Sequence, residues 1–427
     1  MPAATRRPFA ARLLAIAAAG AALRLLYVLV LARKVPDIGD AIFFHQQAIA
    51  LAHGHGFVDP FISAAARHSV PSALHPPLYP LAVSALAHVG LMSEVAHRSL
   101  GAAFGFGTII LIGLIGRRVD GPRTGLVAAS LAAVYPVLVA ADGAMMSETL
   151  YGLLIARALL VSLTIVSGRR TVLAAASLGA LIGLAALTRA EGLLLLALLA
   201  WPLALRRPLR RLPLLAASTI ACLLVLSPWL IRNASVFHEL TLSHNDATVV
   251  AGANCRTTYH GVNLGGWDIA CFSKRRTYDE RRQSDRWRAE GLRYMGRHAG
   301  RLAVVVPLRI MRTWDLWQPH RQVEFAESEA RWLSTAGVVA YFLLMPFALA
   351  GAWLLRRVRG PLFVLLSPVV LVTVVSAVGY GVPRFRHPAE ITIVVLAAAA
   401  IARTPAAVGA RLRARTSASA GSPHGAV

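Results

Sequence analysis

The chain has 427 residues, of which 56% are hydrophobic and 15% charged, a balance too apolar for a soluble domain and one that points to repeated membrane spans. Its net charge of +24, from 44 basic and 20 acidic residues, does not indicate a nucleic-acid partner, because the basic residues fall in short clusters between apolar runs of roughly 17 to 22 residues. Nearly all of that positive charge is arginine, with Lys34 and Lys274 the only lysines.

The chain starts with a short basic stretch. The apolar run that follows, to about residue 32, is long enough to cross a bilayer and lacks a small-residue cleavage site, so it reads as a first span with its N-terminus inside. Apolar windows predict ten spans, at about 10–33, 99–116, 124–141, 147–167, 171–188, 191–205, 212–231, 334–355, 361–380 and 388–403. This arrangement puts the basic clusters at 117–123, 169–170, 206–211, 356–360 and beyond Arg403 on the cytoplasmic side, as the positive-inside rule requires. The apolar stretch 76–92 is then a juxtamembrane or re-entrant helix, because one more crossing there would invert three of those clusters.

The expected architecture is an all-α polytopic transmembrane helical bundle. A single domain covers 1–403, with extracytoplasmic loops at 34–98 and 232–333 and juxtamembrane helices within them. The small, polar residues 404–427 predict a disordered cytoplasmic tail. No fixed-period repeat and no inverted pair of Gly/Pro-broken helices appears.

The first outer loop carries Asp37, Asp40 and Asp59 with His45, His53, His55, His68 and His75. Asp40 opens a helical run, where it could act as an acid/base group or serve only as an N-cap. Asp37 reads as a loop or capping residue. Asp142 and Glu148 form a second acidic edge on the same side, at the junction of the third and fourth spans. Arginines complement them at outer span ends: Arg189 beside Glu191, Arg232, and Arg384 with Arg386. Charge at such depth is costly unless paired or bound to a ligand, so these arginines are either phosphate ligands or members of structural pairs such as Arg189 with Glu191. Arg24 and Arg157, in mid-span, call for interhelical partners.

In the second outer loop, Cys255 and Cys271 predict a disulfide in an oxidising compartment, since two thiols alone make a poor metal site. Cys222 lies within a span and reads as a packing residue. Residues 301–319, which include Arg309, Arg312, Trp314 and Trp317, predict an interfacial helix with snorkelling arginines.

Six motifs then follow in order: GDAIFFHQQAIALAHGHGF, HPPLYP, MSETLYGLL, GLAALTRAEGLLLL, SPWLIRN and PRFRHPAE. In that order and at those places the chain resembles the dolichyl-phosphate-mannose-protein mannosyltransferase-like superfamily, integral-membrane glycosyltransferases of the GT-C fold. The resemblance runs over almost the whole chain, the segment around 254–271 excepted. It implies transfer of a sugar from a polyprenyl-phosphate carrier to an acceptor (a protein, a polysaccharide or a glycolipid) on the outer face of the cell membrane. By this likeness Asp40 and Glu148 are catalytic, Asp40 as general base. His75, Tyr79, Asp142, Arg189, Arg232, Arg384 and Arg386 are the substrate-binding candidates. The family commonly has AspGlu in the first loop where this chain has AspAla at 40–41, so the resemblance names no definite metal ligands and no certain cofactor, although a divalent metal is compatible with it. A departing phosphate needs positive charge, which arginine supplies without a cation. A lipid or sugar transporter and a non-catalytic scaffold are the other readings of the same residues. Interior ionisable groups weighted to the outer edge argue against the first.

Overall fold

The computed structural model describes residues 6–166, 172–205, 211–272, 277–324, 327–358 and 360–420, with side chains described between 8 and 403. The described residues are overwhelmingly helical, and their only strand-like pairing is an isolated antiparallel bridge between Val58 and Pro71. The helices are α1 (Arg6–Val30), α2 (Asp40–Ala52), α3 (Pro60–Ala66), α4 (Leu78–His88), α5 (Glu94–Asp120), α6 (Pro122–Val134), α7 (Pro136–Gly143), α8 (Glu148–Val166), α9 (Val172–Ala186) and α10 (Trp201–Leu205). After these come α11 (Arg211–Phe237), α12 (Asn245–Ala253), α13 (Arg256–Tyr259), α14 (Glu280–Arg297), α15 (Leu302–Thr313), α16 (Pro319–Glu324), α17 (Arg331–Arg357), α18 (Leu362–Val378) and α19 (His387–Ala420).

The chain is a multi-pass membrane protein, and its described helices do not confirm the full count of crossings that the apolar windows predict. All ten windows are largely helical, but only six described helices are long and apolar enough to cross, or seven when α6 and α7 count as one span bent by 53°. Pro136 causes that bend, since it follows Tyr135, whose extended backbone ends α6. The windows at 171–188, 191–205 and 361–380 form shorter helices, and 190–200 takes up 3-10 and π turns before α10. α4, at 11 residues, is too short to cross, in keeping with its juxtamembrane reading.

α19 is the central post, packed on α5, α6, α7, α8, α17 and α18. It approaches α17 so closely that a Cβ on Gly351 would collide with the Leu396 carbonyl. Pairs of opposite charge lock the interior. Arg24 of α1 donates from Nε to Asp142 at 2.5 Å and from Nη1 to the Ala133 carbonyl at 2.9 Å, giving Arg24 its expected interhelical partner. Arg157 instead lies exposed on α8.

Two layers cap one end of the spans: α2–α4 from the segment 34–98, and α12–α16 from the segment 232–333. Cys255 and Cys271 are joined, with 5.5 Å between their Cα atoms. α15 departs from expectation, because Arg309 and Arg312 are buried rather than snorkelling. Arg309 Nη2 donates to the Ala253 carbonyl at 2.8 Å, and Arg312 Nε to that of Gly381 at 3.3 Å. The arginines thus satisfy helix and loop ends that would otherwise be bare. α19 runs on as helix to Ala420, past the point where a disordered tail is expected. Residues 421–427, the basic pair at 169–170 and most of the cluster at 206–211 lie outside the described residues.

Candidate active site

Asp40 is the first residue of α2, and Gly39, at φ 57°, occupies the N-cap position, a left-handed backbone suited to glycine. The Asp40 carboxylate is therefore not the cap. Its Oδ2 accepts from Arg384 Nη2 at 2.8 Å, and its Oδ1 lies 3.7 Å from His75 Nε2. Burial pushes this carboxyl up, but Arg384 and then His75 outweigh it and hold the group at about 2. Burial lowers the His75 imidazole despite the opposing pull of Asp40.

His75 is seated by aromatic rings and by a tightly gripped loop. Its ring packs 4.8 Å from Phe43 and 4.9 Å from Phe44, centroid to centroid, while Tyr79 is buried edge-on against Phe44. Just upstream, the Ala73 N–H donates to Glu280 Oε1 at 2.7 Å, and the His244 N–H donates to the Ala73 carbonyl at 2.8 Å. Arg232 completes the grip, with Nη1 to the Ser72 carbonyl at 2.9 Å and Nη2 to that of Phe57 at 3.0 Å.

Glu148 opens α8 and faces the same cluster. Arg189 Nη1 donates to Glu148 Oε1 at 2.7 Å, and Arg189 Nε donates to Glu191 Oε1 at 2.6 Å. Arg384 Nε lies 3.5 Å from that Glu148 oxygen, an ion-pair contact without hydrogen-bond geometry. Arg384 Nη1 donates to Glu327 Oε2 at 2.7 Å. Both guanidiniums lie near the Phe385 ring, Arg189 at 5.1 Å and Arg384 at 5.9 Å.

Beside this cluster opens a cavity of about 870 Å³, its mouth included. Arg384, Glu148, Glu327 and Glu329 line it, with Arg386, Asp315 and apolar residues of α7 and α17 such as Val137, Ala140 and Val338. Burial raises the Glu327 carboxyl even beside Arg384, and it raises Glu329 to about 7 although the Ser334 hydroxyl donates to it at 2.8 Å.

Asp40, His75, Glu148, Arg189 and Arg384 thus come together, and four other candidates do not. Asp142 is locked on Arg24, and Tyr79 is part of the packing under His75. Arg232 serves the loop carbonyls and packs over Trp229 at 5.0 Å. Arg386 reaches the cavity wall but is committed to Asp315 at 2.8 Å and to Glu390. Asp37, read as a loop or capping residue, is instead ion-paired with Arg98. Glu327 and Glu280 were not anticipated. Glu327 carries the signal that singles out Glu148, an acid near a span's edge at the same end of the bundle. Glu280, on a charged helix far along the chain, carries none.

Among the described residues, no three His, Cys, Asp or Glu side chains converge as a metal site needs. Asp40, Glu148 and Glu327 converge on Arg384 instead, so this donor set does not fit a metal.

A family model described as dolichyl-phosphate-mannose-protein mannosyltransferase matches residues 74–231, a stretch that includes His75, Glu148 and Arg189 but not Asp40 or Arg384. No curated protein sequence matches the chain. Among solved structures, the Archaeoglobus fulgidus oligosaccharyltransferase tethered to an acceptor peptide is similar at TM-score 0.53 and 14% identity, over 92% of this chain and 49% of that one. Its apo form is similar at 0.52 and 13% identity, over 100% and 54%. The chain therefore spans about half the length of that archaeal protein. ArnT from Cupriavidus metallidurans with undecaprenyl phosphate gives 0.46 and 15% identity, over 94% and 79%. The archaeal match shows the fold, that of the GT-C membrane glycosyltransferases, in agreement with the resemblance carried by the motifs.

Proposed function

We propose that the chain is a membrane glycosyltransferase that moves a sugar from a polyprenyl-phosphate carrier to an acceptor hydroxyl on the extracytoplasmic face of the cell membrane. The observation that carries this reading is the meeting of Asp40 and Glu148 on one guanidinium, Arg384, which lines a mostly apolar cavity. The family model at 74–231 supports a prenyl-phosphate sugar as donor. The basic clusters at 117–123 and 356–358 support a cytoplasmic position for the opposite end of the bundle.

In the reaction, Asp40 takes the proton of the acceptor hydroxyl as its oxygen bonds to the sugar C1. The bond from C1 to the phosphate oxygen breaks, and the carrier phosphate leaves with the electron pair and the added negative charge. Arg384, preorganised on the cavity wall, stabilises that charge. An Asp40 carboxylate held at about 2 is a weak base. As the leaving phosphate gains charge it competes more strongly for Arg384, which weakens the hold on Asp40 and strengthens the base while the proton moves. Arg189 orients Glu148, which keeps Arg384 in place. A transporter fits less well, since the interior charges Arg24 with Asp142 and Arg386 with Glu390 are committed to one another.

A deletion strain tests the reading. It should accumulate a lipid-linked sugar and lose one envelope glycan, and both changes should be reversed by the wild-type chain but not by Asp40→Asn. An unchanged lipid-linked sugar pool would sink it.

A further inference from the structure

Arg384 is shared among more negative charge than one guanidinium neutralises. Asp40 accepts from its Nη2 at 2.8 Å, Glu327 from its Nη1 at 2.7 Å, and Glu148 stands 3.5 Å from its Nε. Arg189, the neighbouring cation, is taken by Glu148 and Glu191. Four carboxylates thus face two guanidiniums, and a cluster with that excess repels an anion. A phosphate enters on Arg384 only if a carboxylate gives way.

The four are not equally free to do so. Asp40 is fixed in the first turn of α2, Glu148 is only 4% exposed, and Glu191 is bound to Arg189 rather than Arg384. Glu327 lies outside any helix, ahead of α17, and its side chain keeps 35% exposure. It also lines the cavity together with Arg384. Rotation about its own side-chain bonds is enough to take its carboxylate to water.

We propose that Glu327 occupies on Arg384 the position of the substrate's anionic group, so that the carrier phosphate binds by replacing it and Glu327 sets the affinity of the site for the donor. This rests on the reading of Arg384 as the carrier-phosphate ligand. The exchange is chemically matched, because carboxylate and phosphate both present paired oxygens to a guanidinium. A phosphodiester carries one negative charge, as Glu327 does, so the balance around Arg384 is kept while Glu327 gains solvent.

The test uses the full chain in nanodiscs, with farnesyl phosphate as the probe and farnesol as its uncharged control. Glu327→Gln removes the competing charge and should tighten farnesyl phosphate binding about tenfold, leave farnesol unchanged and keep the wild-type unfolding temperature. Glu329→Gln, which alters a carboxyl of the same cavity that does not touch Arg384, should give a smaller gain. The proposal is overturned if wild type prefers farnesyl phosphate through Arg384 but Glu327→Gln binds it no tighter, or if Glu329→Gln gains as much. If neither wild type nor Glu327→Gln distinguishes farnesyl phosphate from farnesol, or if Arg384→Gln keeps the preference, the reading of Arg384 as phosphate ligand fails, and this inference fails with it.

Discussion

Asp40 Oδ2 and Arg384 Nη2 lie 2.8 Å apart although 344 residues separate them in the chain. The pair fastens the first outer loop to the start of the last described span, and it sets both the charge state of the candidate base and the availability of the candidate phosphate ligand.

Asp40→Asn keeps the side chain's shape and removes the base. Transfer should fall by about 10² to 10⁴, the range for loss of a positioned general base, with insertion and donor binding retained. Asp37 is paired with Arg98 in a buried setting, so Asp37→Ala should instead cost about 3 to 5 kcal/mol of stability. Transfer rates and unfolding temperatures of the two purified variants separate these outcomes. Near-normal turnover for Asp40→Asn would place the base elsewhere.

Arg384 and Arg232 both sit at span ends, yet they should respond differently to truncation. Arg384→Ala removes about 1.5 to 3 kcal/mol of charge-assisted contact and should weaken donor binding about 10- to 100-fold. Arg232→Ala frees the carbonyls of Phe57 and Ser72, so it should loosen the loop that carries His75, with a lower maximal rate and little change in donor affinity. Equal losses of donor affinity in the two variants would contradict this division.

The sequence made much of this arrangement legible. Every apolar window is largely helical, the segments 34–98 and 232–333 form the layers at one end of the bundle, and acids and arginines at span ends marked Asp40, Glu148, Arg189 and Arg384 along with Asp142, Arg232 and Arg386. What it left illegible was partnership. Arg232, Arg384 and Arg386 have the same local signature, and only tertiary packing assigns one to loop carbonyls, one to the cluster and one to Asp315 and Glu390. The count of ten crossings is not confirmed, for a related reason. Hydropathy registers how apolar a segment is, but it does not register that 190–200 folds as 3-10 and π turns or that a proline splits α6 from α7.

Glu329 gives a pH dependence with a definite sign. Burial raises its carboxyl from 4.5 to about 7, so the folded chain holds a proton there that the unfolded chain releases. Its contribution to stability is complete below pH 4.5 and is lost as pH rises from 4.5 through about 7. Relative to wild type, Glu329→Gln should therefore be more stable at pH 8 than at pH 4.5, as read from unfolding temperatures in nanodiscs. A difference of the opposite sign would mean that the carboxylate is ionised in the fold.

The proposed sidedness is open to direct chemical labelling. Ser69 and Pro122 are both exposed, at opposite ends of the bundle, and the native Cys222 is buried. In intact cells, Ser69→Cys should react with a membrane-impermeant maleimide, and Pro122→Cys should react only after lysis. Labelling of Pro122→Cys from outside would invert the topology.

The central position of α19 bears on how the protein is made. In the span that begins at Pro383, 89% of the best apolar window is buried, so the most enclosed of the crossing helices is also the last of them to leave the ribosome. The earlier spans must wait around a vacant groove, with Gly351 exposed along it and Asp40, Glu148 and Glu327 lacking their shared guanidinium. Insertion of α19 fills the groove and supplies Arg384, so a nascent chain that has not yet delivered α19 to the membrane has not assembled this cluster.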